Sequence, residues 1–92
     1  MTTGLRQRYR FEAQSETLVE VFLRGLKSGV TLHEEREMFS FRSAAGQPAF
    51  LLICTIVLGG IQVQASGQYR AFLGRFVEGL VEEFGPVTVE RA

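Results

Sequence analysis

The sequence predicts one small α+β domain of the ferredoxin-like class, with a four-stranded antiparallel sheet and two helices on one face. Three observations support this fold. The chain has 92 residues, of which 46% are hydrophobic and 22% are charged. Two of its segments repeat apolar residues at helical spacing, and the segments around them have the patterns of strands. The elements follow the order strand, helix, two strands, helix and strand, and we expect a single domain over residues 1–92.

The first quarter of the chain predicts a strand and a helix. Residues 5–13 alternate between apolar and charged side chains, as a half-buried strand does. A helix is predicted for Glu16 to Ser28, because Ser15 can cap its first turn and an apolar stripe repeats at three- and four-residue spacing. Gly29 can supply the left-handed residue that commonly ends a helix.

The middle of the chain predicts two long strands. The first, Val30 to Ser43, has apolar ends and a charged centre, HEERE, and charges of this kind suit an edge strand. The second runs from Ala49 to Ala65. Gly59–Gly60 allows two interpretations of it: a bulge within one long strand, which we prefer because the two strands then match in length, or a hairpin turn leading to a fifth strand at 61–65.

The last quarter of the chain predicts a helix and a short strand. Apolar residues recur at helical spacing over four turns, from Tyr69 to Phe84. Gly85 and Pro86 end this helix, and Val87 to Arg91 is the final strand. In the ferredoxin-like arrangement the second and fourth strands are edges, which agrees with a charged second strand and a short last one.

The apolar segment 49–58 predicts an interface. Its side chains form two rows, and helices on one face of the sheet can cover only one of them. The segment is too short for a membrane span, which needs about 18 apolar residues. We therefore expect the uncovered row to pack against a second copy in a homodimer, or to enclose a small apolar ligand. The residues assigned to this interface are Phe39, Phe41, Leu51, Ile53, Thr55 and Val57.

A second set of residues predicts a ligand site. These residues are Arg6, Arg8, Arg10 and His33. The three arginines share one face of the first strand, where guanidinium groups could hold a phosphate or carboxylate. The simpler interpretation is that they form ion pairs with glutamates in 34–37, in the same chain or in a partner. For the histidine, the simpler interpretation is an exposed side chain on an edge strand.

Metal, cofactor and catalytic sites are not predicted. The chain has no Asp or Asn, and it has one His and one Cys, so a metal centre within one subunit is not expected. Cys54 is predicted to be a small buried hydrophobic residue, because burial disfavours the reactive thiolate. The residue types present offer no convergent set of nucleophile, base and orienting group.

These observations leave three functional hypotheses. The first is a non-enzymatic, self-associating module with a regulatory or structural role, in the cytoplasm, because one cysteine cannot form an internal disulfide and no leader segment is apparent. The second is a dimeric α+β barrel enzyme or small-molecule binder with an apolar pocket between sheets. The third is a single-stranded nucleic-acid binder that stacks bases on Phe39 and Phe41 beside the three arginines. The net charge of 0 disfavours nucleic acid and anionic membranes as partners.

Overall fold

The computed structural model describes residues 4–27 and 29–91. Within these residues six strands form one antiparallel sheet in the order β2-β3-β4-β5-β1-β6, together with two helices. The elements are β1 Gly4–Arg10, α1 Glu16–Gly25, β2 Val30–Glu35, β3 Met38–Ser43, β4 Phe50–Val57, β5 Gly60–Gly67, α2 Arg70–Phe84 and β6 Thr88–Arg91. Ser28, the predicted end of the first helix, lies outside the described residues, as do both ends of the predicted domain.

The α+β class is correct, but the four-stranded ferredoxin-like fold is wrong. The described sheet has six strands because each segment predicted as one long strand folds into a hairpin. In the first hairpin the chain turns at Arg36 and Glu37, inside the charged run. Arg36 has a positive φ of 55°, the backbone conformation that tight hairpin turns require. The charged centre of the segment is therefore the end of an edge strand and a turn.

The second hairpin resolves the two interpretations of the glycine pair. Leu58 and Gly59 form the turn between β4 and β5, and Gly59 has a φ of 83°. The hairpin interpretation is thus correct and the preferred bulge is wrong. Gly60 has a different role, because a Cβ at this position would overlap the carbonyl oxygen of Tyr9. A glycine is needed there for β1 and β5 to approach each other.

The sheet places β1 in its interior, between β5 and β6. The two outer strands are β2 and β6. The prediction that the short final strand is an edge is therefore confirmed. The prediction that the whole segment 30–43 is an edge strand is wrong for its second half, because β3 pairs with strands on both sides.

Both helices pack on the same face of the sheet, which we call the covered face. On α2, the ring of Phe72 lies 5.0 Å from that of Phe41, and the ring of Phe76 lies 5.4 Å from that of Tyr9. On α1, Phe22 contacts Phe76, so the two helices also pack against each other. The buried sheet residues of this face are Tyr9, Phe39, Phe41, Leu52, Cys54, Ile56, Ile61, Val63 and Ala65. Each large side chain buried here contributes roughly 1.5 to 3 kcal/mol of gross hydrophobic stabilisation.

Candidate functional site

The opposite surface of the sheet, which we call the open face, is left uncovered by the two described helices. Paired residues of antiparallel strands lie on the same side of a sheet, so the strand register assigns its members. Its central residues are Leu51, Ile53, Thr55 and Val57 of β4, Met38, Ser40 and Arg42 of β3, and Gln62, Gln64 and Ser66 of β5. Its flanking residues are Thr31, His33 and Glu35 of β2, Arg6, Arg8 and Arg10 of β1, and Thr88 and Glu90 of β6.

The centre of the open face is a strip of four residues of β4, Leu51, Ile53, Thr55 and Val57, which we call the β4 strip. All four side chains are half-buried, whereas the intervening residues of the same strand point into the core. Met38 of the neighbouring strand adds a side chain that is 39% exposed. The β4 strip is therefore a partly accessible apolar surface bordered by polar side chains.

Phe39 and Phe41, which were assigned to the same interface, lie on the covered face. Their register partners are Cys54 and Leu52, and both phenylalanines are 0% exposed. They therefore form no part of the open face. Their burial also removes the stacking surface on which the nucleic-acid hypothesis depends, since bases stack on exposed aromatic rings.

The three arginines of β1, which we call the arginine row, lie on the open face. Arg10 Nη1 is 3.7 Å from Glu90 Oε1 on β6, and both side chains are well exposed. The Nε of Arg8 is buried and has no hydrogen-bond acceptor among the described residues. Gln64 and Gln62 of β5 lie opposite Arg6 and Arg8. The row is thus a polar, positively charged border beside the β4 strip.

The expected ion pairs between the arginine row and residues 34–37 are not formed within the described chain. Glu34 instead accepts three hydrogen bonds of 3.1, 2.9 and 3.0 Å from Arg24. These bonds tie α1 to the edge strand β2 on the covered side of the sheet. They are also the main reason why the pKa of Glu34 is lowered and that of Arg24 is raised.

His33 lies on the open face but far from the arginine row. The strand register places it in one cross-strand row with Ser40, Ile53, Gln64 and Arg6. Four strand spacings separate β2 from β1 in the sheet order, or about 19 Å at roughly 4.8 Å each. The structure therefore does not bring the histidine and the arginines together around one small ligand.

Cys54 is fully buried on the covered face, as predicted, and its burial raises the pKa of the thiol. Within residues 4–27 and 29–91, no cluster of three or more His, Cys, Asp or Glu side chains could hold a metal ion. Neither described helix is long and apolar enough to cross a membrane.

Two cavities that the sequence did not predict open at opposite ends of the sheet. The first, which we call the α2 cavity, has a volume of about 580 Å³ and lies between the β3–β4 loop and the first turn of α2. The second, the α1 cavity, has a volume of about 750 Å³ and lies beside the start of α1. Glu12, Glu16 and Glu37 line the α1 cavity, whereas Arg70 and Arg75 line the α2 cavity. Loops and helix ends build both cavities, so no single sequence motif marks them.

Comparisons with protein-family models, with curated proteins and with solved structures found no match for this chain. The fold and the open face define an α+β protein whose six-stranded described sheet is covered by helices on one side.

Proposed function

We propose that this protein is a self-associating module in which the open face of one copy packs against the open face of a second. One observation carries the proposal: β4 presents the half-buried β4 strip on the side of the sheet that the described helices leave uncovered. Large continuous apolar patches are rare on monomers and usually mark interfaces. Two sheets can bury such a surface by packing face to face, about 10 Å apart. The role of the module is then regulatory or structural assembly.

The charges at the two sides of the open face favour one arrangement of the pair. Two identical copies form a closed dimer through a two-fold axis, so the same surface is used twice. An axis parallel to β4 would place the β4 strip on itself and β2 of each copy over β1 of the other. Glu35 would then meet Arg8 of the second copy, while an axis across the strands would oppose the two arginine rows. Opposite charges across an interface fix its register, so we favour the parallel axis.

The test uses the full chain and two glutamate substitutions. Ile53→Glu places a charge in the centre of the β4 strip. Val81→Glu makes a matched change on α2, where the side chain is 47% exposed on the other side of the molecule. Sedimentation velocity and native mass spectrometry should show a dimer for the wild type and for Val81→Glu, and a monomer for Ile53→Glu. A wild-type chain that stays monomeric through the micromolar range would contradict the proposal.

A second candidate function is small-molecule binding between the paired sheets. A shallow depression of about 340 Å³ on the open face favours it, with Leu51, Ile53, Arg6 and Gln64 among its lining residues. Pairing of two open faces would enclose this depression and give an apolar site with a few polar groups, as small-molecule sites have. Native mass spectrometry distinguishes the two functions, because a retained ligand adds mass to the dimer.

A further inference from the structure

The α2 cavity lies outside the open face, at the end of the sheet where β3 and β5 finish and β4 begins. Its volume of about 580 Å³ falls in the range of roughly 300 to 1,000 Å³ that is typical of small-molecule sites. The cavity shares no residue with the β4 strip or the arginine row, so it lies outside the surface of the proposed dimer.

The floor of the α2 cavity is aromatic. The rings of Phe50 and Phe72 stack with their centres 5.4 Å apart, and Phe72 is itself buried against the core. Val30, Ala44 and Pro48 extend the apolar lining on the loop side. This lining suits the hydrocarbon or aromatic part of a ligand.

The charged groups of the cavity have one sign. Among the described residues that line it, the charged side chains are Arg70 and Arg75, and none is acidic. The Arg75 guanidinium carbon lies 5.4 Å from the centre of the Phe72 ring. Arg70 forms no hydrogen bond or ion pair with any other described residue, so its donors are available to a ligand. Arginine favours carboxylate and phosphate groups because its planar fork can donate two parallel hydrogen bonds.

The backbone around the cavity adds to this positive character. The N-cap residue of α2, Tyr69, makes no side-chain capping bond, and the first turn of the helix contains no acidic residue. The amides that begin a helix lack intrahelical acceptors and favour a nearby anion. Helix α1 differs, because Ser15 accepts from the Leu18 amide and Glu16 occupies the first turn.

The wall of the cavity is held by a close contact between two chain segments. The amide of Gln68 donates to the carbonyl of Ala49 at 2.9 Å. Gly67 has a φ of 75°, and a Cβ there would approach within 3.0 Å of the Phe50 Cα. The loop and the start of α2 are therefore fixed relative to each other before a ligand arrives.

We propose that the α2 cavity binds an amphipathic organic anion. The apolar part of the ligand lies against Phe50 and Phe72, and its anionic group is held by Arg70 with support from Arg75 and the first turn of α2. Four features suit this ligand class: an apolar floor, a lining whose two charged side chains are both arginines, a helix start without a side-chain cap, and a fixed wall.

The test is a titration of the ¹⁵N-labelled full chain followed by amide chemical shifts. Three probes share one chain length and differ in charge: octanoate, octanol and octylammonium. Octanoate should shift the amides of Gly67, Gln68 and Ala71 saturably. Octanol should bind at least tenfold more weakly, and octylammonium should leave these amides unchanged.

Matched variants separate the cavity from general charge effects. Arg70→Glu should weaken octanoate binding at least tenfold. Arg36→Glu makes the same charge change in the exposed β2–β3 turn, at the other end of the sheet, and should bind octanoate as the wild type does. If Arg70→Glu does not fold, Ala71→Trp, which fills the cavity from an exposed helix position, provides the same test.

Several results would overturn the proposal. They are equal affinity for octanoate and octanol, equal binding by the Arg70→Glu and Arg36→Glu variants, or shifts confined to the α1 cavity at Glu12 and Gly59. An absence of saturable shifts with millimolar octanoate would also overturn it. None of these results bears on the proposed dimer, whose test measures subunit number.

Discussion

The two faces of the sheet carry similar apolar side chains on β4 but are covered in different ways. Leu52 and Cys54 are fully buried beneath the helices, while their neighbours Leu51 and Ile53 are half-buried on the open face. The difference lies in what packs over each row and not in the chemistry of the rows. An uninterrupted apolar strand therefore indicates that both of its faces need cover, and it does not say which element or molecule provides that cover.

The sharpest test of this comparison uses two adjacent leucines. Leu52→Ala should lower the free energy of unfolding by about 2 to 5 kcal/mol, because it leaves a cavity under the helices. Leu51→Ala removes the same atoms from the open face and should cost less than half as much in dilute solution. Urea unfolding followed by circular dichroism measures both variants. Equal losses would mean that the two faces are equally covered within one copy.

A charge reversal tests what covers the open face. Glu35→Arg should weaken the dimer at least tenfold, about 1.4 kcal/mol, because it would bring a new cation to the arginine row of the second copy. Adding Arg8→Glu should restore much of the affinity, as expected for groups that meet across an interface. Sedimentation equilibrium gives the dissociation constants. Independent, additive effects of the two substitutions would exclude the parallel axis.

The pH dependence of the free energy of unfolding tests whether Cys54 is buried on the covered face. Burial raises the pKa of its thiol, so the folded state keeps the proton that the unfolded state releases above a pKa of about 8.5. Its contribution to stability is therefore complete below that pH and is lost as the pH rises. One pH unit above it, the wild type should have lost about 1.4 kcal/mol. Cys54→Ala should be less stable at every pH but should lack this part of the decline. The measurement is the free energy of unfolding of both proteins as a function of pH. Identical slopes would show that the thiol is accessible in the folded state.

The smallest expected effect concerns two adjacent glutamates on opposite faces. Glu34 is held by Arg24, which lowers the pKa of Glu34, so its contribution is present above its unfolded pKa and is lost as the pH falls. Glu34→Gln should therefore lower the Tm slightly at pH 7 and leave it unchanged once the pH is low enough to protonate Glu34 in the folded state. Glu35→Gln, on the open face, is the matched control and should have no effect in dilute solution. Equal changes in Tm for the two variants would show that the ion pair between Arg24 and Glu34 does not stabilise the fold.

The positions of most elements could be predicted from the sequence, because each depends on local periodicity. The apolar repeat that ends at Phe84 and the Ser15 cap locate the two helices, and both appear in the structure. The number of strands could not be predicted in the same way. Arg36 and Glu37 form a hairpin turn without the Gly, Asn or Asp that normally marks one. The Gly59–Gly60 pair does indicate a turn, but the argument from equal strand lengths favours a bulge instead, and that argument is wrong.

The candidate sites were predicted less completely, for a related reason. The position of the β2–β3 turn determines which residues of β3 face the helices. Because that turn is not predicted from the sequence, the side of the sheet on which Phe39 and Phe41 lie is not predicted either. The residues of the β4 strip could be grouped from the sequence because successive side chains of one strand point to opposite faces of the sheet. The α2 cavity was missed because distant segments build it, namely the 44–49 loop and the start of α2.

The interior position of β1 has a consequence for the order in which the chain folds. During synthesis β1 leaves the ribosome before all the other elements described here, yet its partners are Gly60–Gly67 and Thr88–Arg91. The strands β2 to β5 each pair with a sequence neighbour and can form hairpins as they emerge. We therefore expect β1 to stay unpaired until β5 has been made, and the sheet to be complete only when β6 has paired with β1.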